Sequence, residues 1–305
     1  MSFVSNATGA FYERSLTQMS DLRASLERLQ TQIATGVRLS RGSDDPAAAS
    51  RLRTLARTER LSEVQEDNAD KLARDLDEAG DEALGVANLL SRARELAIQA
   101  ANDTTGESGR AAIAEEIALL EEELFDRANA QTLTGEPLFA GTAAGPAFVR
   151  EPDGSVTYNG NSELAEVPVA PGTELERGVT GAQLFQFELN GTQTSAFAVL
   201  STLSAALQPG VPDPTSAAQA AVDGIDAAID TTTRNQTILG TRLAWVEVIQ
   251  DDQVDRALSV AERQSDLGDT DISDAIVRLQ QTQVALEASQ ASFTRVANLT
   301  LFNAL

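Results

Sequence analysis

The stretch Thr35–Leu52, TGVRLSRGSDDPAAASRL, lies between two segments that both read as helix, and its reading decides the fold. Upstream of it, Met19, Leu22, Leu26, Leu29 and Ile33 step by 3, 4, 3, 4, the apolar stripe of an amphipathic helix. Downstream, Leu72, Leu76, Ala79, Ala83, Val86, Leu90, Ala93 and Ala97 keep the same step. Between them, Gly42 interrupts the chain, and Asp44 and Asp45 stand ahead of Pro46 as a helix cap and first turn. The break is too short for a domain linker. It reads as a corner in an otherwise helical arm.

The far end repeats the device. In Ser265–Ile276, SDLGDTDISDAI, Gly268 breaks a helix and Thr270 or Asp271 restarts it. Ile276, Leu279, Gln283, Leu286, Gln290 and Phe293 then form a stripe. Two detached terminal helices of similar length, each apolar on one side, are expected to pair.

The rest of the arms follows the same rule. Ile113, Ile117, Leu120 and Leu124 form one stripe, and Val222, Ile225, Ile229, Thr232, Gln236, Leu239, Leu243 and Val246 another. Such seams belong to helices packed nearly parallel, as in a coiled coil. A helix from Ala47 to Asn102 extends about 80 Å at 1.5 Å per residue, which is a rod rather than an enzyme wall. Alanines along the seams let helices approach closely. Thr232, Gln236, Gln283 and Gln290 either set register from within the seam or sit at a wet rim. Asn102–Gly106 ends the long helix, and Ser108 is the expected cap of the next.

The middle is built differently. Eight of the nine prolines and ten of the 20 glycines fall between Gly135 and Pro214, so long helices are excluded there. Asp153-Gly154, Asn159-Gly160 and Asn190-Gly191 follow β-prone runs and signal hairpin turns. From Phe197 to Leu207 the pattern is helical again, and Gln208–Ser216 is a connector. The expected fold is mainly α with a small β insert. Its boundaries are 1–43 and 267–305 for the terminal helices, 44–140 and 215–266 for the long helices, and 141–214 for the β-rich insert.

Composition narrows the function. The net charge of −23, with Lys71 as the single lysine, lacks a nucleic-acid footprint and is repelled by anionic membrane. For a chain that assembles, it predicts tighter assembly as salt rises. Cysteine and histidine are absent, which removes thiolate nucleophiles and the commonest general base and metal ligand. No apolar run reaches the roughly 20 residues needed to span a bilayer. The opening MSFVSNATGAFYERS does not read as a cleavable secretory signal. Asp44-Asp45, Glu121-Glu122-Glu123 and Asp251-Asp252 read as caps and solvated faces rather than as catalytic or calcium-binding pairs. No catalytic residue, metal site or cofactor is expected.

Against this background, IATGVRLSRGSDDPAAASRL resembles the signature of flagellins and flagellar hook-associated proteins, at Gly36, Arg38, Asp44, Asp45 and Pro46. Leu89–Asn102, Ala118–Gly141 and Ile272–Leu305 resemble the following blocks of that family, in order. The tail ASFTRVANLTLFNAL and the run Val156–Phe185 look like those of its hook–filament junction members, although the usual short opening is missing. The resemblance implies that the terminal helices form an inner layer of a tube, the long helices a second layer, and the insert an outward domain. The breaks at Gly42, Asp44, Asp45, Pro46, Gly268 and Asp271 would connect the layers. It implies helical self-assembly with Leu22, Leu26, Leu29, Ile33, Arg92, Arg94, Glu95, Ile276, Leu279, Leu286 and Phe293 at subunit contacts. The partners implied are further copies in a helical ring, hook-associated protein 1, flagellin and an export chaperone, with no nucleic acid and no membrane. Leu90–Gln99 also resembles the flagellin stretch read by an innate immune receptor, for which packing in the tube wall is the simpler explanation. The rival readings are a filament subunit and a secreted coiled-coil adaptor. The terminal stripes, with little to cover them inside one subunit, are expected to be largely disordered before assembly.

Overall fold

A computed structural model describes residues 2–302, with side-chain surroundings for 9–296. The last residues of the tail used in the sequence comparison, 303–305, lie outside the described residues. The chain divides into two compact units, Met1–Arg60 with Arg256–Leu305, and Leu61–Asp255.

The first unit holds α1 (Ser2–Thr35), the start of α2 (Pro46–Ala100), the end of α6 (Pro214–Gly268) and α7 (Ile272–Phe302). The terminal helices α1 and α7 pack against each other. Tyr12, Met19, Leu22, Leu26, Leu29 and Ile33 are half-buried on α1. On α7 the half-buried or buried positions are Ala275, Leu279, Thr282, Leu286, Ser289 and Phe293, again in steps of 4 and 3. Phe293 meets Tyr12 edge-on, with ring centroids 5.2 Å apart. The α7 stripe is therefore rotated from the expected one. Ile276, Gln283 and Gln290 are exposed, and small residues take the seam, where they let the two axes approach. The two terminal helices pair as expected, so the α1 stripe has a partner within the chain, against the expectation that little inside one subunit would cover it.

The two corners are stitched together in this unit. Gly36 ends α1 in the left-handed region at φ +73°, and its amide donates to Gln32 O at 2.8 Å. Val37 and Asp269 then form an antiparallel bridge. Arg38 N donates to Gly268 O (2.7 Å), Thr270 N to Gly36 O (2.8 Å), and the Arg38 guanidinium to Leu267 O (2.5 Å). Asp44 accepts from Arg41 N (2.9 Å) and Ser40 Oγ (3.2 Å), closing the turn. Asp45 is the α2 cap, accepting from Ala47 N and Ala48 N at 3.1 and 3.0 Å. Asp271, not Thr270, caps α7, accepting from Ser273 N and Asp274 N at 2.9 and 3.1 Å. α6 ends at Gly268, as expected, though without a left-handed φ at that residue. Gly42 too lies outside the left-handed region.

These details fix the order of three substitutions. Gly36→Ala forces a Cβ into left-handed backbone and costs about 1–2 kcal/mol. Asp271→Ala removes a cap worth about 1 kcal/mol. Gly268→Ala places a Cβ 3.7 Å from the Leu52 methyls, an ordinary contact, and is expected within about 0.5 kcal/mol of the parent. Urea unfolding of the terminal helices, followed by circular dichroism, checks the order.

The second unit combines the rest of α2 and α6 with α3 (Glu107–Ala128), α4 (Gly181–Phe185), α5 (Ala196–Ala206) and three separate hairpins. These are β1–β2 (Phe148–Arg150, Val156–Tyr158), β3–β4 (Glu166–Ala170, Thr173–Glu176) and β5–β6 (Gln186–Leu189, Thr192–Ser195). The turns are Asp153-Gly154, Pro171-Gly172 and Asn190-Gly191. Asn159-Gly160 only follows β2, and Pro171-Gly172, which pre-sets φ and supplies a left-handed glycine, does the third job. Ser108 lies inside α3, whose N-terminal cap is Gly106 with no side-chain bond. Upstream, the Asn102 carboxamide closes its own turn on Thr104.

All eight expected α2 seam residues are buried, from Leu72 to Ala97, as are Ile113, Ile117 and Leu124 of α3. They join the insert's phenylalanines in one core. Phe148 sits at its centre, with ring centroids 5.1 Å from Phe185 and 5.2 Å from both Phe197 and Tyr158. Gly181 is required there, because a Cβ would lie 2.6 Å from the Phe148 ring.

Candidate assembly surfaces

Most polar side chains that reach across elements hold the second unit together. The Asn129 amide brackets the backbone of Phe148, donating to its O at 3.1 Å and accepting from its N at 2.9 Å. On α6, Asn235 donates to Gln183 O (2.7 Å) and Gln253 to Val169 O (2.6 Å), tying the long helix to α4 and β3. Thr232 is fully buried and bonds back to Ala228 O (2.9 Å), whereas Gln236 is half-buried and Gln283 and Gln290 are on a wet face. None of these long-range amide clamps leaves a periodic trace in the sequence.

An ionic cluster closes one side of this unit. Arg177 donates through Nε to buried Asp75 at 2.7 Å and also pairs with Glu136, which Lys71 approaches at 3.6 Å. The Arg177 charge, then its hydrogen bond, holds the Glu136 carboxyl below its ordinary value. A depressed carboxylate contributes stability above its unfolded pKa and loses it as pH falls through the folded one. Arg177→Met strands Asp75 in the interior and is expected to cost about 3 kcal/mol at pH 7. The deficit narrows as pH drops below the ordinary carboxylate range. Urea midpoints of parent and variant at pH 7 and pH 3 measure this. Glu121 has the opposite tendency: burial raises its carboxyl, against the pull of Arg150 3.6 Å away.

The residues singled out on α2 already have partners within the chain. Arg92 binds Glu116 of α3 at 2.7 Å and Glu95 at 3.0 Å, and Arg94 pairs with Asp226 of α6. All four side chains on these two arginines and their cross-helix partners are about half exposed, so they brace α2 while still facing outward. In the terminal unit, Leu22, Leu26, Leu29, Ile33, Leu279, Leu286 and Phe293 line the α1–α7 seam, half-buried. Ile276 stands outside it with Ile272, Val277 and Val284, all at least 40% exposed. The helix pair thus leaves its seam incompletely covered and carries apolar side chains on its outer face. Trp245 and Val248 give α6 a second exposed apolar patch, in the other unit.

Charge is divided unevenly. The unit containing the chain ends has 13 arginines and lysines against 12 acids, a net +1, while the other has 10 against 34, a net −24. The repulsion read from the whole composition therefore resides in the second unit, and the terminal helices are electrically free to associate.

Among the described residues no group of His, Cys, Asp or Glu could hold a metal ion, and no helix is long and apolar enough to cross a membrane. Residues 8–144 match the family profile of the bacterial flagellin N-terminal helical region. The chain is 28% identical over 313 aligned residues to flagellar hook-associated protein 3 of Escherichia coli K12, covering 97% of this chain and 98% of that one. Its fold is shared by flagellar hook-associated protein 3 of Legionella pneumophila, with a TM-score of 0.65 at 16% identity over 71% of this chain and 98% of the other. The flagellar junction protein FlgL from the same organism gives 0.60 at 16%, over 72% and 100%.

Proposed function

We propose that the chain joins the hook to the filament of the bacterial flagellum by helical self-assembly, a reading supported by its likeness to flagellar hook-associated protein 3 along almost the whole of both chains and by the flagellin-type match over residues 8–144. The observation that carries this reading is the reach of the similarity, which runs through both corners and both arms of a full-length relative. In this reading each copy packs head over tail on the next, a heterologous contact that propagates. Residues 1–43 and 267–305 form the inner layer, 44–140 and 215–266 the second, and 141–214 face outward. The corners at Gly42–Pro46 and Gly268–Asp271 let one chain serve two layers. Leu22, Leu26, Leu29, Ile33, Ile276, Leu279, Leu286 and Phe293 meet neighbouring terminal helices, and Arg92, Arg94 and Glu95 extend their ion pairs to a neighbouring copy.

The role is mechanical rather than enzymatic: a collar matching a flexible hook to a stiffer filament. Its partners are further copies, hook-associated protein 1, flagellin and, before export, a chaperone. Nucleic acid and membrane have no part. Export is through the flagellar secretion route. Deleting the gene should leave hooks in place while flagellin is shed into the medium. A filament subunit, the reading favoured by the match to the flagellin N-terminal region alone, predicts intact junctions and no flagellin of this kind in the medium.

A further inference from the structure

Helix α2 changes sign abruptly along its length. Arg51, Arg53, Arg57 and Arg60 are all exposed, and over residues 51–60 the single acid is Glu59. The next exposed charges are Glu63, Glu66, Asp67 and Asp70, with no base among residues 61–70. At the switch stand Leu61 and Val64, each 56% exposed. In the second unit six of the nine arginines, Arg92, Arg94, Arg127, Arg150, Arg177 and Arg242, have carboxylate partners. Among the described residues, Arg51, Arg53, Arg57 and Arg60 have none; Arg60 bonds only to Ala56 O at 3.1 Å.

We propose that this arginine band docks on the acidic band of α2 in a second copy of the chain, with the exposed Leu61 and Val64 of each copy flanking the contact at its two ends. The inference rests on the reading of the chain as a self-assembling flagellar component. Charge complementarity selects the occupant. One helix carries both bands next to each other, so two parallel copies shifted by roughly three helical turns bring opposite signs together. A foreign acidic partner would need the arginines but not the acids. The shift makes the contact head-to-tail, so each copy has one band engaged on either side and the array continues. Neighbouring second units, each strongly negative, repel, and the arginine band supplies the offsetting attraction. Single exposed ion pairs are weak, so the bands act mainly by fixing register and excluding wrong stagger.

Charge reversal tests this in cells lacking their own copy, with the chain quantified in isolated flagella and in the medium. R53E/R57E/R60E is expected to lower incorporation at least tenfold, as is E63R/E66R/D67R. The chain carrying all six substitutions restores opposite signs with reversed polarity and is expected to regain most of the incorporation. R53Q/R57Q/R60Q, which introduces no like charge and little risk to folding, is expected to fall between, and circular dichroism of each secreted chain checks helicity. Parent-like incorporation of the folded triple variants would overturn the proposal. So would failure of the folded six-fold variant to recover, which would assign the arginines to a different acidic partner. If the parent chain itself never enters flagella, the junction reading fails instead.

Discussion

Leu22→Asp combined with Leu29→Asp is expected to remove the chain from flagella, with at least about nine-tenths of it shifted into the medium, while the second unit is expected to unfold at the same urea concentration as in the parent. Both leucines lie in the α1 seam and are half-buried against α7. Burying an aliphatic side chain contributes about 1.5–3 kcal/mol, and a carboxylate in its place adds a desolvation cost. The pair of terminal helices has no deep core to absorb that loss, since no α1 side chain between residues 9 and 35 is fully buried. The second unit has its own core and none of its residues is touched, so the two effects separate. Measuring the ratio of incorporated to secreted chain keeps an export defect apart from an assembly defect. If the variant assembled normally, the terminal helices would not be the assembling element.

Phe148→Ala produces the complementary loss. Phe148 is 2% exposed and touches three other aromatic rings, and truncating such a residue costs about 3–5 kcal/mol. That is a large fraction of the roughly 5–15 kcal/mol that holds a domain folded. The site cannot collapse easily, because Asn129 fixes the Phe148 backbone and Gly181 lies directly against the ring. Leu119→Ala, at a side chain 73% exposed, is expected within about 0.5 kcal/mol of the parent. Urea denaturation of the two variants side by side gives the comparison. Two transitions are expected in each curve, and only the one belonging to the second unit moves in Phe148→Ala.

What the sequence disclosed, and what it hid, follows from period and distance. The α2 seam was legible to the residue because a long helix packed on one side repeats its burial every three or four positions. Asp45-Pro46 was legible because a cap acts on its own neighbours. The α7 stripe came out one position away because that helix has apolar residues on two faces, and its true seam uses Ala275, Thr282 and Ser289, which hydrophobicity does not mark. Gly42 looked like the breaker at the first corner, yet α1 is ended by Gly36, whose left-handed φ no composition rule distinguishes. Hairpin turns were found where glycine follows Asn or Asp, and missed where Pro171 precedes Gly172. The amide clamps of Asn129, Asn235 and Gln253 and the Asp75–Arg177 pair join residues far apart in sequence, so nothing local announces them. On the candidate surfaces, the α1 leucines were legible as a stripe, but the ion pairs that Arg92 and Arg94 make with α3 and α6 depend on how three helices pack.

All of this turns on the terminal helices as rods that complete their burial against copies or close relatives of themselves in one place, between hook and filament. Fluorescently labelled chain on intact flagella tests it most directly. A single focus at the base of each filament is the predicted result. Label spread along the filament, or absent from the flagellum altogether, would contradict it.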